Sequence, residues 1–403
     1  MSGRRRPSGR PDSGRPSDVL VVGAGVIGAA TAFHAMRLKA GTVTVLDRAS
    51  AGSGMSSRSS ALVRMHYTFP PEVDLAVRSD AMFRAWTELT GRPACVRRTG
   101  FVRIVAKEET PRLRANVAMQ REHGANAEVI DGAELARVAP GLRGDDVECA
   151  AWEPDGGYGD GAIVAGDLLA AAREAGAGYR PNTPVRGLLT DGDRVTGALT
   201  DDGPVHAGVV VLACGVWSPP LLAGAGIDLP IETELHKVAV VGHPAGGGAG
   251  VACIDSTTQT YFRPEAAGQM TLVGAFTGPR GADPDRVPPA APDAELAELA
   301  GMVGSAARRV PALADGGIVR GIAGVYDMTP DARPMLGEVP GRPGLVVAAG
   351  FSGMGFKISP AVGEALAELI VAGAAAHVDL AAFRPGRFAE GAPINPELAY
   401  SDD

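Results

Sequence analysis

Residues 23–28 read Gly-Ala-Gly-Val-Ile-Gly and fit the spacing G-x-G-x-x-G, and an acid, Asp47, follows the last glycine by 19 positions. These residue types at this spacing suit one task, holding a pyrophosphate and its ribose. Gly23 permits a tight turn, Gly25 lets the backbone approach the anion, and Gly28 lets a helix pack closely on the preceding strand. The amides of Ala24, Val26 and Ile27 lie where the helix N-terminus presents its positive end. Asp47 is placed to accept a hydrogen bond from a ribose hydroxyl, with Arg48 beside it. A bare match is weak, and its context gives it weight: a strand over 19–22, a helix over 26–39 stopped at Gly41, and a strand over 43–46. The motif by itself does not choose between NAD and FAD, and a glycine turn that binds nothing is the competing reading.

The elements further along must complete the scaffold. A helix is predicted over 72–89, where Leu75, Met82, Trp86 and Leu89 share one apolar face, then a strand over 101–106. A helical stretch at 166–175 leads to strands over 184–189 and 195–199 with the turn Asp191-Gly192-Asp193 between them. The unbroken apolar runs 209–212 and 345–349 suit strands buried on both faces of a parallel sheet. From 231 to 277, short β-type runs such as 238–241 and 270–273 alternate with Gly/Pro turns, which predicts a second, largely antiparallel sheet. Residues 279–292 are proline-rich and read as a surface connection before a helix near 293–303. Glycines at 350–355 precede a helix over 360–372. The fold class is therefore α/β with an α+β second domain. A Rossmann-like nucleotide domain is visited three times (18–92, 154–226, 325–390), and a substrate domain with a mainly antiparallel sheet takes 93–153 and 227–324. A disordered basic tail at 1–17 and a C-terminal tail at 391–403 flank them.

Composition narrows the partners. Hydrophobic residues make up 45% and charged residues 21% of the 403, ordinary for a globular chain with a sizeable core. The net charge of −8, with no long Lys/Arg stripe in the body of the chain, argues against nucleic acid. No apolar stretch is long enough for a spanning helix, which argues against the membrane. The arginines near the N-terminus are not followed by an uninterrupted apolar region, so export is not expected. Cys95, Cys149, Cys214 and Cys253 show no metal-type spacing and read as reduced thiols of a cytoplasmic protein.

Three further stretches carry more information: Arg58-Ser59-Ser60-Ala61-Leu62-Val63-Arg64 with His66-Tyr67 after it; Val210-Val211-Leu212-Ala213-Cys214-Gly215-Val216-Trp217-Ser218; and a late run from Gly324-Val325-Tyr326-Asp327-Met328-Thr329-Pro330-Asp331 to Gly350-Phe351-Ser352-Gly353-Met354-Gly355-Phe356-Lys357. They resemble the FAD-dependent amine and amino-acid oxidoreductases of the D-amino-acid oxidase type, closest to sarcosine oxidase, its β-subunit form included, and dimethylglycine dehydrogenase. The resemblance implies FAD. It lays Arg58, Ser59, Ser60 and Ala61 across the flavin and brings Val185, Ala213, Gly215, Trp217 and Gly324 to the cofactor. It also sets the loop 350–355 and Lys357 at the flavin edge, where backbone amides before a helix can face the negative charge of reduction; a plain helix cap is the alternative. By motif position Arg64 and Lys357 match the family's two carboxylate-holding cations, a fork and a point charge. Tyr261 lines either the substrate pocket or the core. No metal is implied.

The departures matter as much. Gly324 stands where the closest monomeric sarcosine oxidases carry a flavin-linking cysteine, and residues 52–57 lack the linking histidine of dimethylglycine dehydrogenase, so the FAD is expected to be non-covalent. Leu272 and Phe276 replace a lysine and a histidine of the family's substrate-domain strand. That lysine is associated with oxygen activation, which leaves oxidase against dehydrogenase open. His236 and Lys237 could substitute, the alternative being an exposed strand pair. The expected reaction is oxidation of a C–N bond of a small amine, amino acid or N-alkyl amino acid by hydride transfer to flavin N5, followed by imine hydrolysis and peroxide formation. A dehydrogenase or β-type subunit that passes electrons on is the alternative, and the assembly is a homodimer or a hetero-oligomer.

Overall fold

The computed structural model describes residues 16–244, 246–265, 268–290 and 296–401; residues 1–15 of the predicted basic tail lie outside them. The strand β1 (Ser17–Val22) is buried at every position but Asp18, as a run with strands on both sides must be. It pairs in parallel with β2 (Val43–Leu46) on one side and with Gly203–Leu212 on the other. Gly178–Arg180 extends β2 in parallel, and Leu345–Ala349 runs parallel to the end of Gly203–Leu212. An antiparallel hairpin, Val185–Asp191 with Arg194–Thr200, pairs with the start of that same strand, and Met335–Glu338 closes the far edge. The chain enters this sheet in three separate runs.

The second sheet is antiparallel except at one pairing. The long strands Gly317–Met328 and Glu232–Gly242 lie side by side, followed by Met270–Ala275, Thr260–Glu265 and Ala252–Asp255. Phe101–Ile104 then joins in parallel, with Ala150–Glu153 and Glu128–Ile130 beyond it. A small third sheet links β3 (Leu62–Val63) and Arg97–Arg98 to Gly157–Tyr158.

Helix α1 (Val26–Arg37) has ten of its twelve residues buried, because it is covered by the first sheet on one side and by the helix Gly355–Ala372 on another. Gly363 makes that second contact, since a Cβ there would sit 2.5 Å from Ala30. This last helix begins five residues ahead of its predicted start at Pro360. A proline inside a helix leaves the carbonyl four residues back without its usual donor; here Ser359 Oγ donates to Phe356 O at 2.8 Å. The predicted helix over 72–89 is two helices, α2 (Pro70–Arg84) and Trp86–Thr90, broken at Ala85. Trp86 is held across the break by its Nε1, which donates to Asp167. The helix predicted at 166–175 starts earlier, at Gly161, where Asp160 Oδ1 accepts from Ala162 N and Ile163 N. The helix predicted near 293–303 is Leu296–Ala307, its first predicted residues lying outside the described ones. Among the described residues no helix is long and apolar enough to cross a membrane.

Candidate functional site

The glycine turn has the geometry its spacing predicts. Gly23 has φ 105° and a Cβ on it would run into the Ala213 carbonyl, while a Cβ on Gly28 would run into the Gly23 carbonyl. Gly25 caps α1 without a side chain, and the helix's first turn holds no acid of its own. Ser56, which the sequence reading missed, accepts from Val26 N at 3.1 Å. Asp47 Oδ2 accepts from Ala24 N at 2.6 Å and Oδ1 from Ala49 N at 2.8 Å. About two of a carboxylate's four acceptor sites are left for a ribose. Ala213 N donates to Val22 O, and Thr183 N to Asp47 O, which brings the segment before Val185 to the end of β2. Val185 itself packs, partly buried, on the apolar cluster of Val22 and Leu46. A glycine-lined turn, a helix end with no acid in its first turn and a strand-end carboxylate together fit a dinucleotide.

Arg48 turns outward. It pairs with Asp285 at 2.9 Å and lies 5.1 Å from the Trp217 ring, whose Nε1 also donates to Asp285. Arg58 Nη1 donates to Val287 O at 3.0 Å, so the proline-rich connection is tied to both arginines. Ser59 Oγ accepts from Ala61 N, and Ser60 O accepts from Arg263 Nε at 2.6 Å. Ala61 itself sits at φ 51°. Gly324 lies against Arg58, 3.3 Å from its Cβ if a side chain were added, and Gly215 has φ 53°.

The late loop is built around Asp327. Its Oδ2 accepts from Gly350 N at 2.7 Å, and its carbonyl from Ser352 N at 2.9 Å. Burial raises the Asp327 carboxyl to about 6 against the pull of the Gly350, Asp327 and Phe351 amides. Gly350, Ser352 and Gly353 all have positive φ, and a Cβ on Gly353 would come within 2.6 Å of the Tyr326 ring. Phe351 and Met354 are buried, and Met354 caps the last helix without a side-chain bond. Gly355 opens that helix, and Lys357 lies in its first turn with Nζ 3.3 Å from Gly353 O. Burial, and next the Arg64 charge, push the Lys357 ammonium well below the ordinary lysine range.

Arg64 and Lys357, far apart in sequence, are thus within electrostatic reach of each other. The Arg64 guanidinium lies 4.3 Å from the Tyr67 ring centroid and donates to the His66 carbonyl, while its buried Nε has no partner. Glu153, fully buried, accepts from Met65 N at 2.8 Å through Oε2, and its Oε1 has no partner. Burial lifts its carboxyl to about 8, which favours the protonated acid beside Arg64, while Lys357 instead feels the buried Glu72. Sequence reasoning missed Glu153, because Pro154-Asp155-Gly156 after it reads as a surface turn.

Tyr261 is buried, and its phenol is hydrogen-bonded to Tyr326 and to Ser60. His236 and Lys237 are not an exposed pair: strand alternation sends them to opposite faces, and both faces are covered. The His236 ring stacks on Tyr326 at 3.9 Å with Nε2 3.0 Å from Glu234 Oε1, and Lys237 Nζ lies 2.6 Å from Glu298. Leu272 is buried with Tyr261, Leu62 and Phe101, and Phe276 faces the Arg103 guanidinium at 5.8 Å.

A family profile described as DAO, FAD dependent oxidoreductase, matches residues 18–369. The chain is 29% identical over 367 residues to 4-methylaminobutanoate oxidase (formaldehyde-forming) of Paenarthrobacter nicotinovorans, covering 88% of this chain but 43% of that protein, so it spans less than half of that relative. It is 26% identical over 402 residues to the sarcosine oxidase subunit beta of an Arthrobacter species, covering 94% of this chain and 93% of that one. Among solved structures, L-proline dehydrogenase from P. horikoshii superposes with a TM-score of 0.85 at 28% identity, covering 94% of this chain and 99% of the other.

Proposed function

The chain belongs to the FAD-dependent oxidoreductase family, and from that premise we propose that it oxidises a C–N bond of an amino acid or N-alkyl amino acid. The observation that carries this reading is the pair Arg64 and Lys357, each within reach of the other's charge, with Glu153 held toward its protonated form near Arg64 and the buried Glu72, itself paired with Arg333, acting on Lys357. A substrate carboxylate would take a fork and a point charge together. Arg64 orients the carboxylate, with its own place fixed by His66 O and the Tyr67 ring. Lys357 adds charge from the helix end, and the buried Tyr261 and Leu272 keep water from the neutral amine. FAD, held there, would supply the acceptor for a hydride from the carbon next to nitrogen, and water would then hydrolyse the released imine. We assign the glycine turn, Asp47 and the loop 350–355 to FAD retention without a covalent link, Gly324 being unable to form one.

Electrons pass to oxygen, giving hydrogen peroxide. A second reading sends them to a carrier or partner subunit instead, and Leu272, an apolar side chain in an apolar cluster, favours it. Peroxide yield per flavin reduced separates the two. The unpaired cysteines among the described residues support a reducing, cytoplasmic setting. The test is anaerobic flavin bleaching across a matrix of L-, D- and N-methyl amino acids, with R64M and K357M alongside. Both variants should hold FAD and bind substrate weakly; unchanged substrate affinity in both refutes the clamp.

A further inference from the structure

We propose that residues 394–401 form part of the substrate site and that Tyr400 is a positioning residue, acting through His66 to hold Arg64, an inference that rests on the carboxylate clamp above. The contacts run in one line. Tyr400 is buried, its phenol oxygen lies 2.9 Å from His66 Nε2, and the two rings stack with centroids 5.9 Å apart and planes 7° from parallel. The carbonyl of the same histidine accepts from Arg64 Nη1. Phenol and guanidinium therefore grip the side chain and the backbone of one residue. The segment is also seated apart from the Tyr400 ring: Ile394 N donates to Asp331 Oδ2 at 2.9 Å, and Asn116 Nδ2 donates to Leu398 O at 3.0 Å.

Arg103 connects this segment to Phe276, just past the strand Met270–Ala275. Its guanidinium lies 4.9 Å from the Tyr400 ring centroid and 5.8 Å from that of Phe276. Burial first, then Arg103 and Arg64, hold the His66 imidazole well below its ordinary range, so it is neutral and adds no third cation to the clamp. Its role is to be fixed in place. A long side chain loses rotamer freedom when it binds an anion, and a guanidinium already held by a pinned carbonyl loses less, which raises affinity. The pin is the Tyr400–His66 contact.

The experiment uses the full chain loaded with FAD, with benzoate as a non-reacting carboxylate, benzamide as its neutral twin, and the flavin absorption change on titration as the readout. Y400F keeps the stacked ring and loses one hydrogen bond, so benzoate should bind about fivefold more weakly. Y400A should cost about tenfold or more, and benzamide should change by less than about twofold in both. Y400F guards against a misfolded Y400A. Wild-type benzoate affinity in both variants overturns the proposal, as does equal weakening of benzoate and benzamide, which marks general damage to the pocket. R64M run in parallel separates the two levels. If R64M weakens benzoate and the Tyr400 variants do not, the clamp stands and this inference falls; if R64M binds benzoate normally, both fall.

Discussion

Replacing Glu153 by Gln should make stability less sensitive to alkaline pH. The carboxyl is fully buried, and burial is the main reason its pKa stands at about 8 rather than 4.5; the Met65 amide and Arg64 oppose it, and Asp80 and Asp155 add to it. The unfolded chain releases this proton near the lower value and the folded chain near the upper. Between the two the folded state holds more protons, so stability is full below the unfolded value and is lost as pH rises through the folded one. The gap of roughly 3.5 units, at about 1.4 kcal/mol each, bounds the loss at about 5 kcal/mol. Local relaxation and water entry bring a realistic figure to about 2–3 kcal/mol. Gln matches the neutral acid in shape and keeps an oxygen for the Met65 amide, so it removes the titration and preserves the contact. The assay is paired urea unfolding of wild type and E153Q with excess FAD, from about pH 5 to about pH 9. The stability difference should move in favour of E153Q by that amount as pH rises, all other titrations being shared. A constant difference refutes the neutral assignment, and with it the view that Glu153 leaves Arg64 free for substrate.

Three other outcomes are expected. Benzoate affinity should fall as pH rises through the depressed Lys357 pKa, because binding the anion then requires proton uptake, and a pH series on K357M should be flat over that step. D47N should weaken FAD by about tenfold, read as flavin fluorescence on dilution, since the amide turns a donor toward either the ribose or Ala24 N. Acid precipitation should leave the yellow colour in the supernatant; colour in the pellet sinks the non-covalent assignment.

The nucleotide end was legible because its work is done by backbone. Glycine spacing, a helix start and a strand end are local in sequence, and the βαβ periodicity frames them. The pair Arg64 and Lys357 was legible only through resemblance, because no spacing rule joins them when the whole second sheet lies between them in the chain. Glu153 was hidden by the turn residues after it, which describe the backbone beyond the strand and say nothing of what covers its end. His236 was misread because alternation predicts two faces but not that Tyr326 covers one and the helix Leu296–Ala307 the other. Tyr400 was invisible, being a tail residue whose partner is 334 positions away. The start of the last helix was misplaced because Pro360 suits a first turn, and only Ser359 shows how an interior proline is accommodated.

Gly363 gives the molecule a gauge. One helix starts at the glycine turn and the other at the loop 350–355, just before Lys357, and they touch where Gly363 meets Ala30. The separation of the two loops is thereby fixed by this helix joint together with the shared sheet from whose strands both loops spring. Widening the joint with G363A leaves both jaws chemically intact but misaligned. Such a variant should keep its grip on ADP, which needs one jaw, and lose most of its preference for FAD, which needs both, so the ratio of the two affinities measures the setting of the gauge directly.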